Sequence, residues 1–413
     1  MPAARPVPID QTPIAHGALG TRSENVRRSN LETILRRLHL GGPATRSDLV
    51  AATGLTRSAV GTLVGELTEM AYVYEEQSTS GGSRGRPSPL VLPSPVNVVI
   101  AIEILVDEVA VAAFELGGEL VELVRLDRAG RSLDRTVADL ATTVAEIVDP
   151  LPDDTAVHGI GVAVAGVVRP TDNTVLVAPN LGWRDVPLAD LIRRHLAFDL
   201  PVVVANEGDL GAIAVSRRGI AAGCANMVYV SGEVGVGGGI IADGRPIGGK
   251  RGFAGEIGHI PVNPSGLPCK CGSSGCWETE VGAEALLRRC GYRTSGGRAA
   301  LDEAIDAADR GDERVLGAML EHGRWLGFGL AGIINVFDPE VVVLGGMFAR
   351  IHPFIAVALN GELDRRILGI RREGVDVLPS TLGISAPLLG AAEWAWEQVL
   401  EDPAGSTATQ LRR

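Results

Sequence analysis

The sequence predicts a winged helix-turn-helix unit followed by a two-lobed α/β body, and three observations carry that prediction. Two short helical runs meet at a tight glycine turn between residues 46 and 70. An order of strand–strand–strand–helix–strand–helix–strand begins near 96 and recurs from 226. The second copy is interrupted by GEIGHIPVNPSGLPCKCGSSGCWETE, which gathers one histidine and three of the five cysteines. A chain of 413 residues is long enough for two or three domains of about 150 residues each. Its net charge of −12 argues, taken alone, against nucleic acid. The charge is uneven, however: residues 1–93 hold 10 Arg against 8 Asp/Glu, and the remainder holds 28 basic against 42 acidic residues. A mildly basic front on an acidic body implies two tasks.

Residues 1–22 carry Pro2, Pro6, Pro8, Pro13, Gly17 and Gly20 with no apolar period, the pattern of a disordered tail. No basic stretch leads into an apolar one there, so no secretory signal is expected, and no run of about 20 apolar residues offers a membrane span. With a clustered Cys-x-Cys and no signal, the expected compartment is the cytoplasm, with no membrane partner. Residues 23–40 place Val26, Leu31, Ile34, Leu35 and Leu38 near helical spacing, with Ser23 as N-cap and Gly41-Gly42-Pro43 as the stop. A helix over about 46–53 ends at Gly54, and a second opens at Thr56 or Ser58 and runs to about Met70. Leu49, Val50, Leu55, Val60, Leu63, Val64 and Leu67 form their buried face. That pairing is a helix-turn-helix. AYVYEEQ and SPLVLP read as strands around the polar loop STSGGSRGRP, a wing that completes a unit over 23–93.

Recognition helices reach base edges with their N-terminal residues. The candidate DNA contacts are therefore Arg46 on the first helix of the pair, and Thr56, Arg57, Ser58, Gly61 and Thr62 on the second. Arg84 and Arg86 in the wing suit a narrow minor groove, where arginine is favoured. Helix-turn-helix geometry implies a palindromic operator bound by a homodimer or homotetramer.

From about 96 the runs VNVVIAIEIL, EVAVAAFEL and ELVELVRLD read as three strands. The helix SLDRTVADLATTVAEIVD, the strand HGIGVAVAGVV, a helix near 187–197 and the strand PVVVAN follow, giving a first lobe over 94–205. A second lobe over 206–386 repeats the order, and a last helix, about 387–401, returns to complete the first. His259, Cys269, Cys271 and Cys276, spaced His-x9-Cys-x-Cys-x4-Cys, make the four-ligand set that structural Zn²⁺ takes. Glu256 and Glu278 flank it, so a metal-bound loop would present carboxylates and an imidazole at fixed positions, suited to a polyhydroxylated ligand.

Three motifs, GVGGGI at 235–240, AGEIGH at 254–259 and CKCGSSGCWE at 269–278, resemble the ROK family of repressors, open reading frames and kinases. The resemblance covers nearly everything from 23 to 400. It implies an actin/hexokinase-like body of two ribonuclease-H-like lobes with sugar in the cleft between them. Its sugar-binding residues would fall on Glu256, His259 and Glu278, with the Asn-Asp pair of the family on Asn206 and Glu207. The Val164-Ala165-Gly166 loop and Asn180-Leu181-Gly182-Trp183 resemble the other cleft wall, which makes Gly166 and Asn180 candidates too. Family kinases carry Asp-x-Gly-Gly-Thr at the first strand. Here that place reads Glu103-Ile104-Leu105-Val106-Asp107, without the glycines that let backbone N–H groups approach phosphate. Glu207 stands at the position of the catalytic Asp. The expected function is a sugar-responsive transcriptional regulator, a repressor of carbohydrate uptake or catabolism genes, bound by a small sugar or sugar phosphate. An ATP-dependent sugar kinase carrying a DNA-binding domain is the alternative. The altered phosphate loop and a coupled ATPase assay separate the two.

Overall fold

The computed structural model describes residues 22–77, 88–369, 374–382, 385–406 and 409–410. The tail expected over 1–22 therefore lies outside them except for Arg22, and so does the wing loop with Arg84 and Arg86.

The front unit comprises α1 (Arg22–Gly41), β1 (Ala44–Thr45), α2 (Arg46–Thr53), α3 (Arg57–Glu69), β2 (Val73–Glu76) and β3 (Leu90–Pro93), its strands ordered β1-β3-β2. Helix α1 starts before Ser23, so Ser23 is helical rather than a cap. Thr45 caps α2 in a reciprocal box: its hydroxyl accepts from the Asp48 amide, and its own N–H donates to the Asp48 carboxylate. Gly54, at φ 70°, ends α2, and Thr56 caps α3 by accepting from the Ala59 N–H. Leu31, Ile34, Leu35, Leu38, Leu49, Val60 and Leu67 are buried, whereas Val26 is exposed.

The body holds two sheets of one topology. In the first, β4 (Asn97–Ile104), β5 (Glu108–Glu115), β6 (Leu120–Asp127), β7 (Ala156–Val164) and β11 (Val202–Asn206) run in the order β11-β7-β4-β5-β6, and β17 (Thr409–Gln410) pairs with β7. In the second, β12 (Met227–Gly232), β13 (Val236–Ala242), β14 (Arg245–Pro246), β15 (Val341–Gly345) and β16 (Asp376–Pro379) run β14-β13-β12-β15-β16. Each begins with an antiparallel meander and continues with two parallel pairings on its first strand's other side. The recurrence inferred from element order is thus reproduced strand for strand. A third, small sheet of β8 (Val167–Arg169), β9 (Thr174–Ala178) and β10 (Trp183–Val186) extends from the first lobe. Helices α4 (Leu133–Val148) and α5 (Leu188–His195) cover the first sheet's outer face, and α7 (Trp277–Val281), α8 (Ala283–Cys290), α9 (Gly297–Asp309), α10 (Glu313–Phe337) and α11 (Gly346–Arg366) build out the second lobe.

Helices α6 (Glu207–Arg218) and α12 (Ala386–Glu401) lie between the two sheets. One continuous apolar core joins Val99 and Ala112 of the first sheet, Leu210 and Ala214 of α6, Leu388 and Ala392 of α12, Tyr229 and Val343 of the second sheet, and Leu35 and Leu67 of the front unit. The packing needs bare backbone. A Cβ on Gly390 would collide with the Leu210 carbonyl, and one on Gly161 with the Ala391 carbonyl.

At the far end of α6 a buried polar cluster fastens the front unit to the body. Glu393 of α12, 1% exposed, meets His39 Nε2 of α1 at 3.1 Å, Arg217 Nη1 of α6 at 3.5 Å, and Arg218 Nε. Arg218 also donates to the carbonyls of His39 and Gly117, while Gly117 N–H donates to His39 Nδ1. Arg36 of α1 and Arg217 share Glu397. Burial alone would raise the Glu393 carboxyl, but His39, Arg218 and Arg217 hold it far below the usual carboxylate range.

Removing that charge leaves two guanidinium groups and an imidazole facing a neutral amide. Glu393→Gln is expected to cost about 3–5 kcal/mol at pH 7. Because the folded carboxyl is depressed, its contribution is complete above the unfolded value of about 4.3 and fades as pH falls below it. The gap between wild type and variant in urea denaturation should therefore shrink between pH 5 and pH 2; a gap of constant size would contradict this account.

Candidate functional site

Strand β11 delivers Asn206 to the head of α6, where its side-chain oxygen accepts from the N–H groups of Gly208 (2.7 Å) and Asp209 (3.4 Å). Its amide nitrogen donates to the Gly166 carbonyl at 2.9 Å, so the Gly166 loop is tied to the α6 N-terminus. Asn206 is thereby committed to capping and clamping, with one amide hydrogen to spare for a ligand. Glu207 follows and lies beside Gly237 of β13, and the Glu278 carboxylate lies against Gly235. The glycine-rich start of β13 leaves the room that these two carboxylates occupy.

The acids influence one another. Burial, with the charges of Glu103, Glu233 and Glu256, pushes Glu207 up to about 8. Burial and Glu256 push Asp209 up to about 7. Glu256 is raised by burial against the pull of His259, whose Nε2 lies 3.8 Å from its Oε2. The other ring nitrogen of the same histidine, Nδ1, lies 3.6 Å from Glu278 Oε1.

His259 ends a short 3-10 turn (Ile257–His259), and Cys276 caps α7. Between them the chain doubles back through bridges Pro261–Cys276 and Pro268–Ser274. This brings the ligand atoms of His259, Cys269, Cys271 and Cys276 within 4.8 Å of one another. Cys269 Sγ lies 3.6 Å from His259 Nδ1, and Cys271 Sγ lies 3.6 Å from Cys276 Sγ. A tetrahedral ion with metal–sulfur bonds of about 2.3 Å and metal–nitrogen bonds of about 2.0 Å needs ligand–ligand edges of about 3.5–3.8 Å. The donor set and its spacing therefore fit a metal ion. Gly275 sits at φ 70° with its Cα against the Asn263 carbonyl, at the point where the loop turns back.

The cleft is walled on its far side by the small sheet. Lys270, inside the metal loop, donates to Asn180 Oδ1 at 3.3 Å, and Gly252 packs its backbone on the Val168 carbonyl. Gly166, Asn180, Asn206, Glu207, Glu256, His259 and Glu278 thus line one region. Sequence reasoning missed Asp209 and Glu233 in it. Asp209 lies on a helix the sequence reading left unassigned, and Glu233 follows a strand directly before the glycine-rich turn, which was its one available signal.

On the front unit, Thr56, Arg57, Ser58 and Thr62 are exposed along the first turns of α3, with Gly61 half-buried between them. Arg46 pairs with Glu75 of β2 at 2.7 Å and reaches toward Gly61, so it is oriented by the sheet before any partner arrives.

Gly275→Ala would drive a methyl into the Asn263 carbonyl and impose a left-handed backbone on an L side chain, a strain of about 1–3 kcal/mol before the clash is counted. The variant is expected to retain less metal after dialysis and to melt earlier than wild type; unchanged metal content by elemental analysis would remove the loop-geometry argument.

Comparison with known proteins places this arrangement. The xylose repressor of Bacillus spizizenii is 29% identical over 378 residues, covering 91% of this chain and 97% of that protein. The glucokinase of Streptomyces coelicolor is 31% identical over 309 residues, covering 68% of this chain and 96% of that protein. A crystal structure of a ROK family transcriptional regulator, a homologue of the E. coli MLC protein, superposes with a TM-score of 0.76 at 24% identity, covering 91% of this chain and 98% of the other. A ROK family glucokinase from Streptomyces griseus, in complex with glucose and AMPPNP, gives a TM-score of 0.65 at 29% identity and covers 73% of this chain and 99% of the other. The regulators match front unit and body together, whereas the kinases match a body-sized share. The body has the two-lobed actin-like fold of these structures, and the ROK family pattern itself matches residues 99–398, so the chain belongs to the ROK family.

Proposed function

We propose that this protein is a sugar-responsive DNA-binding repressor of carbohydrate uptake or catabolism genes. One observation carries the reading: α6 begins in the cleft and ends on the DNA-binding unit. Its N-cap is Asn206 and its first residue Glu207, and its last two residues, Arg217 and Arg218, meet Glu393, Glu397 and His39. Twelve helical residues span about 18 Å as one rigid element. Sugar hydroxyls bridging the Gly166 and Asn180 wall of the first lobe to Glu207, Glu256, His259 and Glu278 of the second would draw the lobes together and displace α6. The displacement arrives at α1 and alters the placement of α3. A difference of about 1–3 kcal/mol between the two states gives a 5–150-fold response. Similarity to the xylose repressors supports the direction of control.

A Zn²⁺ ion is the metal whose chemistry suits one imidazole and three thiolates in a closed loop. Held by His259, Cys269, Cys271 and Cys276, it would fix the imidazole between Glu256 and Glu278. The operator is expected to be palindromic and bound by a homodimer or homotetramer. No described helix is long and apolar enough to cross a membrane, and a DNA-binding role would call for a cytoplasmic location.

The glucokinase relatives favour a second reading, an ATP-dependent sugar kinase. Against it, Ile104, Leu105 and Val106 stand where phosphate would need glycine amides, and Glu207 is one methylene longer than the usual base. Wild type is expected to show no ATP-dependent sugar phosphorylation; turnover at about 1–100 per second in a coupled assay would establish the kinase.

Glu278→Ala is expected to abolish the sugar-dependent change in operator affinity while unliganded DNA binding persists. Arg218→Ala should preserve sugar binding by calorimetry and yet lose the same change in affinity. Sugar responses of wild-type size in both variants would refute the proposed route. In a salt-controlled gel shift, Arg57→Ala should cost about 1–3 kcal/mol, the worth of a bidentate guanine contact, and relax sequence preference.

A further inference from the structure

A cavity of about 480 Å³ opens beside the sugar region, at the ends of β4, β12 and β15. That volume lies within the range of about 300–1,000 Å³ typical of small-molecule sites. Three carboxylates line it: Glu103, Glu207 and Glu233. Glu103 is only 4% exposed. Its Oε1 accepts from the Ser385 hydroxyl at 2.7 Å, while its Oε2 is buried without a hydrogen-bond partner. Leaving such a group unpaired costs stability, and a ligand hydroxyl would supply the missing donor. Arg298 and Arg350, whose charges act on Glu233, and Ser231 also line it.

The lining argues about the occupant. A nucleotide phosphate would face three carboxylates, with Leu105 in the wall where a phosphate loop would offer amides. Free phosphate gains little, because Arg350 already pairs with Asp302 at 2.7 Å and Arg125 with Glu108, while the charge of Arg298 is offset by Glu233. A single metal ion is disfavoured: among the described residues, the only compact group of three or more ligand atoms is the His259 set. A neutral polyol fits, since each hydroxyl both donates and accepts, and the wall offers carboxylates, guanidinium groups and hydroxyls together. Burial also pushes Glu103 up to about 7, so its carboxyl can serve as donor or acceptor near neutrality. Glu207 and Gly237 belong to this cavity as well as to the sugar region, so the two are contiguous.

We infer that this cavity is a second saccharide subsite, and that the effector is a neutral disaccharide or longer oligosaccharide, with one unit among Glu256, His259 and Glu278 and the next on Glu103 and Glu233. The inference rests on the sugar-sensing reading and extends it. The unit in the cavity supplies the Glu103 Oε2 donor and takes a hydrogen bond from Arg298.

Calorimetry on the full-length, metal-bound protein tests it, with glucose and xylose against maltose, isomaltose, cellobiose, gentiobiose and xylobiose, and AMPPNP as a further probe. At least one disaccharide is expected to bind about tenfold or more tighter than its constituent monosaccharide, the worth of one or two hydrogen bonds to a charged group. In Glu103→Gln and Glu233→Gln that ratio should fall toward one. Ser385→Ala, a milder change that frees Glu103 Oε1, should lower the ratio as well and covers the case of a Glu103 variant that does not fold. Equal affinity for mono- and disaccharides, or a ratio untouched by all three substitutions, overturns the subsite while leaving a monosaccharide sensor standing. Micromolar AMPPNP binding overturns it in favour of a retained nucleotide site. Binding of no saccharide of either length sinks the sensor reading and the subsite together.

Discussion

Glu393 is a carboxylate that cannot reach water, and the architecture is arranged around satisfying it. The desolvation of such a group exceeds what one counter-charge returns, so it persists only with several partners in good geometry. Here the partners come from separate units: His39 from the front unit, Arg217 and Arg218 from the helix that starts in the cleft, and the carboxylate itself from the helix that crosses between the sheets. Apolar packing joins the same units, but apolar contact is non-directional and tolerates slippage. The charged cluster defines one register of α1 on α6 and α12. Without it the front unit would remain attached by grease alone, and its orientation relative to the body would be loosely specified.

Much of this molecule was legible in the sequence, for reasons tied to particular residues. Leu31, Leu35 and Leu38 repeat at helical spacing, Thr56 and Gly54 punctuate the helix pair, and the apolar runs that form β4 to Ile104 and β7 to Val164 are buried strands as expected. The four metal-loop residues were visible because local spacing alone gathers them. What escaped was set by distance along the chain. His39 and Glu393 are 354 positions apart, and Arg218 and Glu393 are 175 apart, so no local pattern marks them as partners. Helix α6 was missed because Asn206-Glu207-Gly208-Asp209 reads as a loop, when Asn206 is in fact a cap. The small sheet of β8, β9 and β10 was missed because its strands are three to five residues long.

Bare backbone at the start of β13 sets what the cleft can hold. Glycines at 235 and 237 make room for the Glu278 and Glu207 carboxylates. Buried acids surround them, and burial, reinforced by the charges of neighbouring acids, pushes Glu207 up to about 8 and Asp209 up to about 7. Such a surface favours uncharged, hydroxyl-rich matter over anions.

The bare-backbone contacts of α12 have a mechanical consequence. Gly390 presses on the Leu210 carbonyl of α6, and the Ala391 carbonyl presses on Gly161 of β7, so α12 is pinned on both flanks at neighbouring residues. Helices that touch through side chains can creep past each other by rotamer changes, which is shear; backbones in direct contact have no such slack. Relative movement of the lobes is then confined to swinging about that pinned place, as a door turns on its pintle. A small angular change at the cleft mouth becomes a displacement proportional to the distance from the pivot.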